Sequence, residues 1–170
     1  MKLQTNPEVV ADLAKEREDD NLRFRSFLKQ NDLTSEELDG IVYRLYKDVS
    51  SQIDCCSCGN CCQKISPVLF NDDVKRLASG LEITYEEVVT QYLTRDEGGA
   101  AYIFNQRPCP MLEGTICRAY DHRPSVCRSF PHLHKGNFRS HLIQAVGNCS
   151  VCPIVFNVFE QLKEELWHRQ

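Results

Sequence analysis

Apolar residues recur at helical spacing at both ends of this chain and lose that regularity in the middle. Near the N-terminus, Val10, Leu13, Arg17, Phe24, Phe27 and Leu28 trace one imperfect helical stripe that runs out in the polar stretch around Asn31. Asn6 followed by Pro7 marks its start, a capping side chain and then a proline where the missing N–H costs nothing. Thr34-Ser35-Glu36-Glu37 is a capping box, because Glu37 can reach back to the Thr34 amide. Leu38, Ile41, Val42, Leu45, Tyr46, Val49 and Ile53 follow on one helical face, which predicts an amphipathic helix running up to Cys55. At the other end Pro153 opens a terminal helix carrying Ile154, Val155, Val158, Phe159, Leu162, Leu166 and Trp167.

Between these ends the pattern is mixed. Ile65-Ser66-Pro67-Val68-Leu69-Phe70 reads as extended chain. Asn71-Asp72-Asp73 opens a short helix with Val74, Leu77 and Ala78, closed by Gly80. Thr84 and Glu87 make a second capping box, and Val88, Val89, Tyr92 and Leu93 continue that helix until Gly98-Gly99. Ala101 to Phe104 predicts a short strand, Glu113-Gly114 a turn before Thr115-Ile116-Cys117, and Lys135-Gly136-Asn137 another turn. Phe138 to Val146 is a weak strand candidate. No internal repeat or linker divides the chain. The expectation is a single domain, 1–170, with N-terminal helices over 1–53, an irregular middle over 54–152 and a C-terminal helix over 153–170.

At 170 residues the chain is long enough to bury a hydrophobic core without disulfide staples. It shows no signal-peptide pattern and no run of 18 apolar residues, so no membrane association is expected and a reducing cytoplasm is the expected compartment. There, clustered cysteines are metal ligands more often than cystines. Ten cysteines are present, and five of them fall between Cys55 and Cys62.

Within that run Cys55, Cys58 and Cys61 form a C-x-x-C ladder, with Cys62 beside the last. A C-x-x-C turn directs two thiolates and the backbone amides between them to one point, and Gly59 suits the tight turn required. Cys61 and Cys62 are neighbours whose side chains should diverge, and Cys56 lies off the ladder as the first candidate for a non-ligand. Cys109, Cys117, Cys127, Cys149 and Cys152 follow as possible closing ligands. Zinc accepts four thiolates, and Cys58/Cys61 with Cys149/Cys152 would make such a site. The Cys55–Cys58–Cys61 spacing also matches ferredoxin-type ligation, where a remote Cys-Pro completes the set. Cys109-Pro110 and Cys152-Pro153 both offer one, so spacing favours an iron–sulfur cluster over zinc.

The second informative block runs from Cys117 through Tyr120, Arg123, Pro124, Cys127, Arg128 and Phe130 to Pro131. With Cys55, Cys58, Gly59, Cys61, Cys62 and Cys109, it resembles the CxxCxxCC family of zinc- or iron-chelating domains, the YkgJ-type cysteine-cluster proteins. That family's pattern is CxxCGxCC, a further cysteine, and then C-x-x-Y-x-x-R-P-x-x-C-R-x-F-P. The resemblance covers residues 55–131 and implies chelation of zinc or iron. Related clusters occur in flagellin lysine methylases, which resemble iron–sulfur enzymes using S-adenosylmethionine, although this chain lacks their additional length.

Charge refines the picture in one place. The formal net charge is −4, which gives no case for nucleic-acid binding by the whole chain. Between Arg118 and His141, however, Arg118, Arg123, Arg128, Lys135 and Arg139 face a single acid, Asp121, and four histidines accompany them. These bases either neutralise a thiolate centre or receive an anionic ligand or a protein partner. Tyr120, Arg123 and Arg128 are the candidate cofactor-binding residues, with the arginines donating to sulfur ligands or loop carbonyls. A nucleophilic cysteine is conceivable, for instance Cys127 between His122 and His132, but no ordered base–orienter set accompanies it. Together these readings predict a mainly α fold, a small irregular α(+β) domain whose cysteine-ligated metal centre lies between N- and C-terminal helices. Whether it is an enzyme stays open.

Overall fold

In the computed structural model residues 2–168 are described. The first helices are α1 (Pro7–Glu16), α2 (Glu18–Gln30) and α3 (Ser35–Ser50), followed by the short α4 (Cys55–Cys58) and α5 (Asn60–Lys64). Next come α6 (Asn71–Leu81), α7 (Tyr85–Tyr92) and four short strands, β1 (Leu93–Arg95), β2 (Tyr102–Phe104), β3 (Leu112–Glu113) and β4 (Ile116–Cys117). The chain finishes with α8 (Ser125–Ser129), α9 (Leu142–Asn148) and α10 (Pro153–Leu166). The fold is mainly α, as expected, and no single described helix is long and apolar enough to cross a membrane.

These elements form two compact units. One combines the residues up to Asp54 with those from Pro131 onward; the other is Cys55–Phe130. The first is a helical bundle centred on α10, which packs against α3, α1 and α9. Almost every α10 side chain from Pro153 to Lys163 is buried, so the helix is apolar around most of its circumference. Phe24 meets the Phe159 ring edge-on at 5.3 Å and stacks on Trp167 at 5.6 Å. The caps appear as the sequence predicts. Asn6 Oδ1 accepts the Glu8 and Val9 amides, and Thr34 and Glu37 exchange both bonds of their capping box.

Buried charge sits inside this bundle. Lys163 is 2% exposed and pairs with Glu160 at 2.5 Å, while Arg17 reaches the other Glu160 oxygen. The first departure from expectation lies at Arg17 itself. The N-terminal stripe is two helices broken at Arg17 (φ −101°, ψ 15°), yet Val10, Ala14, Asn21, Phe24 and Leu28 still bury one continuous face. The second departure is Phe138–Val146, which is a 3₁₀ turn (Phe138–His141) running into α9 rather than a strand. Phe138, Leu142, Ala145 and Cys149 are its buried residues, and their spacing of four, three and four is helical.

The second unit gathers Leu69, Val74, Leu77, Val88, Leu93, Tyr102, Phe104 and Met111 into its own core. Thr84 and Glu87 cap α7 as predicted. The predicted strand over Ala101–Phe104 exists as β2, paired antiparallel with β1, and Leu69 bridges to Tyr102 on its other edge. Leu93 leaves the helix to start β1, because pairing with Phe104 supplies hydrogen bonds that one more helical residue would not. The β3–β4 hairpin turns at Gly114, in the left-handed region (φ 62°), and places Cys117 opposite Leu112.

Gly80 does not close α6. The helix continues to Leu81 and its left-handed cap is Glu82 (φ 56°). Gly80 is there for proximity, since a Cβ at this position would lie 2.5 Å from the Cβ and Cγ of His122. It lets α6 meet the 3₁₀ turn Tyr120–His122 that follows Cys117.

Candidate metal centre

Seven of the nine predicted ligands lie in the Cys55–Phe130 unit, on the short elements α4, α5, β4 and α8 and on the loop that carries Cys109. Cys55 and Cys58 bound the single turn of α4, which packs against β4 and therefore beside Cys117. Gly59 follows in the left-handed region (φ 59°), and a Cβ there would meet the Thr115 carbonyl oxygen at 2.8 Å. The chain turns sharply at a point where only glycine clears the β3–β4 hairpin. Helix α5 then presents Cys61 and Cys62. The Cys109 amide donates to the Cys62 carbonyl at 2.8 Å, fixing the remote Cys-Pro segment against the ladder. Cys127 arrives on α8, whose first amide, on Ser125, is held by buried Asp73 at 2.7 Å.

Five of these sulfurs are close enough to perturb one another: Cys61, Cys62, Cys109, Cys117 and Cys127. The expectation that Cys61 and Cys62 diverge does not hold. Their side chains hydrogen-bond, which raises Cys61 and lowers Cys62. Burial pushes the Cys109 thiol up to about 11, with Cys117 and Cys61 adding to the rise. Burial likewise pushes Cys127 up to about 12, reinforced by Cys109, Cys61 and Cys117. Cys117 is raised for the same first reason.

Opposing these rises are groups that stabilise thiolate. The Met111 amide bonds to the Cys109 sulfur and the Ala119 amide to the Cys117 sulfur, the same two-residue offset in each case. Arg123 acts on Cys117 and Cys127, and Arg118 on Cys109 and Cys117. Half-buried sulfurs crowded together, with backbone amides bonded to two of them and arginine charge nearby, fit a bound cation that replaces their protons. Among the described residues no three His, Cys, Asp or Glu side chains stand together at the distances one ion needs.

The other predicted residues divide by position. Arg123 lies 3.6 Å over the Tyr120 ring and donates from Nε to the Tyr120 carbonyl at 2.8 Å, matching the expected bond to a loop carbonyl. The Tyr120 hydroxyl bonds to Cys56, the cysteine outside the ladder. Arg128 sits on α8 and is exposed. Cys149 and Cys152 belong to the helical bundle, at the end of α9 and the start of α10; both are buried, and Cys149 donates its thiol to the Ala145 carbonyl at 3.3 Å.

Sequence reasoning counted Arg118 only among the bases of its segment and passed over Asp73 and the two amide donors. Arg118 adjoins a cysteine and lies within the basic segment, so its position was a usable signal. Asp73 was visible only as the opening of a helix, and backbone amides leave no trace in side-chain spacing. Compared with known families, residues 54–152 match the CxxCxxCC model, described as "Putative zinc- or iron-chelating domain". Comparison with curated proteins and with solved structures gives no match.

Proposed function

The chain belongs to the CxxCxxCC family of zinc- or iron-chelating domains, and from that premise we propose that its cysteine cluster holds a thiolate-ligated metal centre that organises the Cys55–Phe130 unit. The observation carrying this reading is the group of five mutually perturbing sulfurs with backbone amides directed at two of them. Cys61, Cys62, Cys109, Cys117 and Cys127 are the ligand candidates that their mutual perturbation favours. Cys55 and Cys58 extend the set through their turn against β4. When bound, the metal neutralises thiolates that burial alone would keep protonated.

A structural role follows from the elements involved. Helices α4, α5 and α8 are four or five residues long, well short of the length at which a helix persists unaided. Thiolate binding of zinc contributes about 10–16 kcal/mol, comparable to the whole stability of an ordinary domain at about 5–15 kcal/mol. The ladder spacing with Cys109-Pro110 favours an iron–sulfur cluster over zinc. Elemental analysis and an absorption spectrum of anaerobically purified protein test this. Iron with matching sulfide and broad visible absorption supports the cluster, stoichiometric zinc with a featureless spectrum supports a zinc module, and neither metal overturns the proposal.

A further inference from the structure

After the cysteine ladder the chain is extended at Ile65 (φ −110°, ψ 137°) and again at Phe70 (φ −97°, ψ 170°), where α6 begins. This stretch forms an outer edge of the β1–β2 sheet. Leu69 and Tyr102 exchange both backbone bonds, at 2.8 and 2.9 Å. The pairing ends there, because Pro67, the next residue turned towards β2, has no amide to give. Arg107 donates to Ser66 Oγ at 2.7 Å and fastens the other end. We propose that this edge pairs antiparallel with the same edge of a second copy of this chain.

Backbone alternation decides which groups are open. With Leu69 turned towards β2, Ser66 and Val68 turn away from it. Among the described residues neither their amides nor their carbonyls have a partner. Such a row of unpaired groups is a template for another strand, and proteins usually blunt it with charge or proline. Here neither blocks it. Pro67 directs its missing donor at β2 rather than outward, and the side chains beside the open groups are Val68, 43% exposed, and Phe70, 62% exposed. Phe70 stands at the N-cap of α6, where a small polar residue would serve the helix better, and Asp73 accepts its amide. The fold leaves most of that ring in solvent.

Symmetry and charge select the occupant. About a two-fold axis at Pro67, Ser66 of each copy exchanges both backbone bonds with Val68 of the other, so every open group finds a partner. The two prolines then face each other at the position where an antiparallel pair makes no hydrogen bond. The same axis sets Phe70 opposite Lys64 of the other copy and brings Lys64 within diagonal reach of Asp72. Lys64 is exposed and makes no ion pair among the described residues. Asp72, its side chain 90% exposed, holds an exposed contact with Lys75 at 3.2 Å, a kind of pair that gives way easily. A base before the segment and an acid after it repel their like in a parallel pairing and attract their opposite in an antiparallel one.

Sedimentation equilibrium of the full metal-loaded chain tests this. The expected result is a monomer–dimer equilibrium that shifts with protein concentration. Val68→Pro removes an outward amide, and Phe70→Ser removes the apolar contact while giving α6 a better cap. Because the two-fold axis deletes each contact twice, either should weaken dimerisation by about tenfold. Phe70→Ser should fold at least as well as the unaltered chain, so it carries the test if Val68→Pro does not fold. Lys64→Glu and Asp72→Lys should each be monomeric alone and form a mixed dimer when combined, since each changed charge then meets its opposite on the other copy. Metal content, measured on the same samples, should be unchanged. An unaltered chain that stays monomeric at every concentration overturns the proposal and leaves the edge to a strand of another protein. A dimer indifferent to both Val68→Pro and Phe70→Ser, or charge variants that fail to associate when mixed, would overturn it equally.

Discussion

Asp73 and Ser125 lie 52 residues apart, yet one Asp73 oxygen accepts the Ser125 amide at 2.7 Å while the other accepts the Phe70 amide at 3.1 Å. One buried carboxylate therefore caps α6 and anchors the helix that carries Cys127. Asp73→Ala should destabilise the protein by about 1–3 kcal/mol, the combined effect of a lost cap and orphaned amides. It should also weaken metal binding, because Cys127 is two residues beyond the lost anchor. Urea unfolding and competition with a chromogenic chelator measure the two effects separately.

Gly59→Ala tests the turn between the ladder cysteines. Its new Cβ would lie 2.8 Å from a backbone oxygen at a left-handed residue, and no rotamer can relieve that contact. A loss of about 1–3 kcal/mol, as for overpacking, is expected together with reduced metal content. Normal metal content in the purified variant would show that the hairpin yields.

Single serine substitutions at Cys61, Cys62, Cys109, Cys117 and Cys127 should each reduce bound metal per chain. Cys56→Ser and Cys149→Ala should retain it, since one thiol is engaged by Tyr120 and the other by a carbonyl of its own helix. Elemental analysis of the seven variants maps the ligand set directly.

The raised thiols make stability depend on pH in a defined direction. Cys109 and Cys127 shift from an ordinary 9.0 to about 11 and about 12. Above pH 9 the unfolded chain releases those protons before the folded one does, so metal-free protein should lose stability as pH rises from 9 towards 12. Metal-loaded protein, its ligands already deprotonated, should lack that loss. Adding metal at neutral pH should release protons, countable with an indicator dye. Uptake without proton release would mean the thiols are not the ligands.

Glu160→Ala should be severe. It leaves Lys163 charged, buried and unpaired, and removes the partner of Arg17, for an expected loss of about 3–5 kcal/mol by thermal or urea unfolding. Replacing Glu160 and Lys163 together by apolar residues of similar volume should recover much of it.

What the sequence made legible was local. Asn6, Thr34 with Glu37, and Thr84 with Glu87 act within one helical turn, and all three caps are present. Gly59 was recognisable because its turn belongs to the cysteine ladder itself. The features missed depend on distant partners. Nothing around Gly80 announces that His122 will lie against it, and nothing around Leu93 announces that Phe104 will pair with it. Arg17 interrupts its helix beside Glu160, 143 residues away. The centre follows the same rule. Its cysteines could be read from spacing, but the contact of Cys61 with Cys62 and the amides directed at Cys109 and Cys117 arise only when loops meet. Phe138 to Val146 is the exception, since the helical spacing of its buried residues was there to be read.

The helical bundle draws on both flanks of the chain, with the cysteine-bearing unit between them. On the ribosome this sets an order of assembly. Cys127 emerges roughly 40 residues before the end of α10, a lead of about 2–8 s at synthesis rates of ~5–20 residues per second. During that interval every candidate ligand up to Cys127 is available for loading while α10, the centre of the bundle, is still being made. If the centre organises its unit as proposed, an insert left unloaded at that stage would stand between the two flanks that have to meet in the bundle.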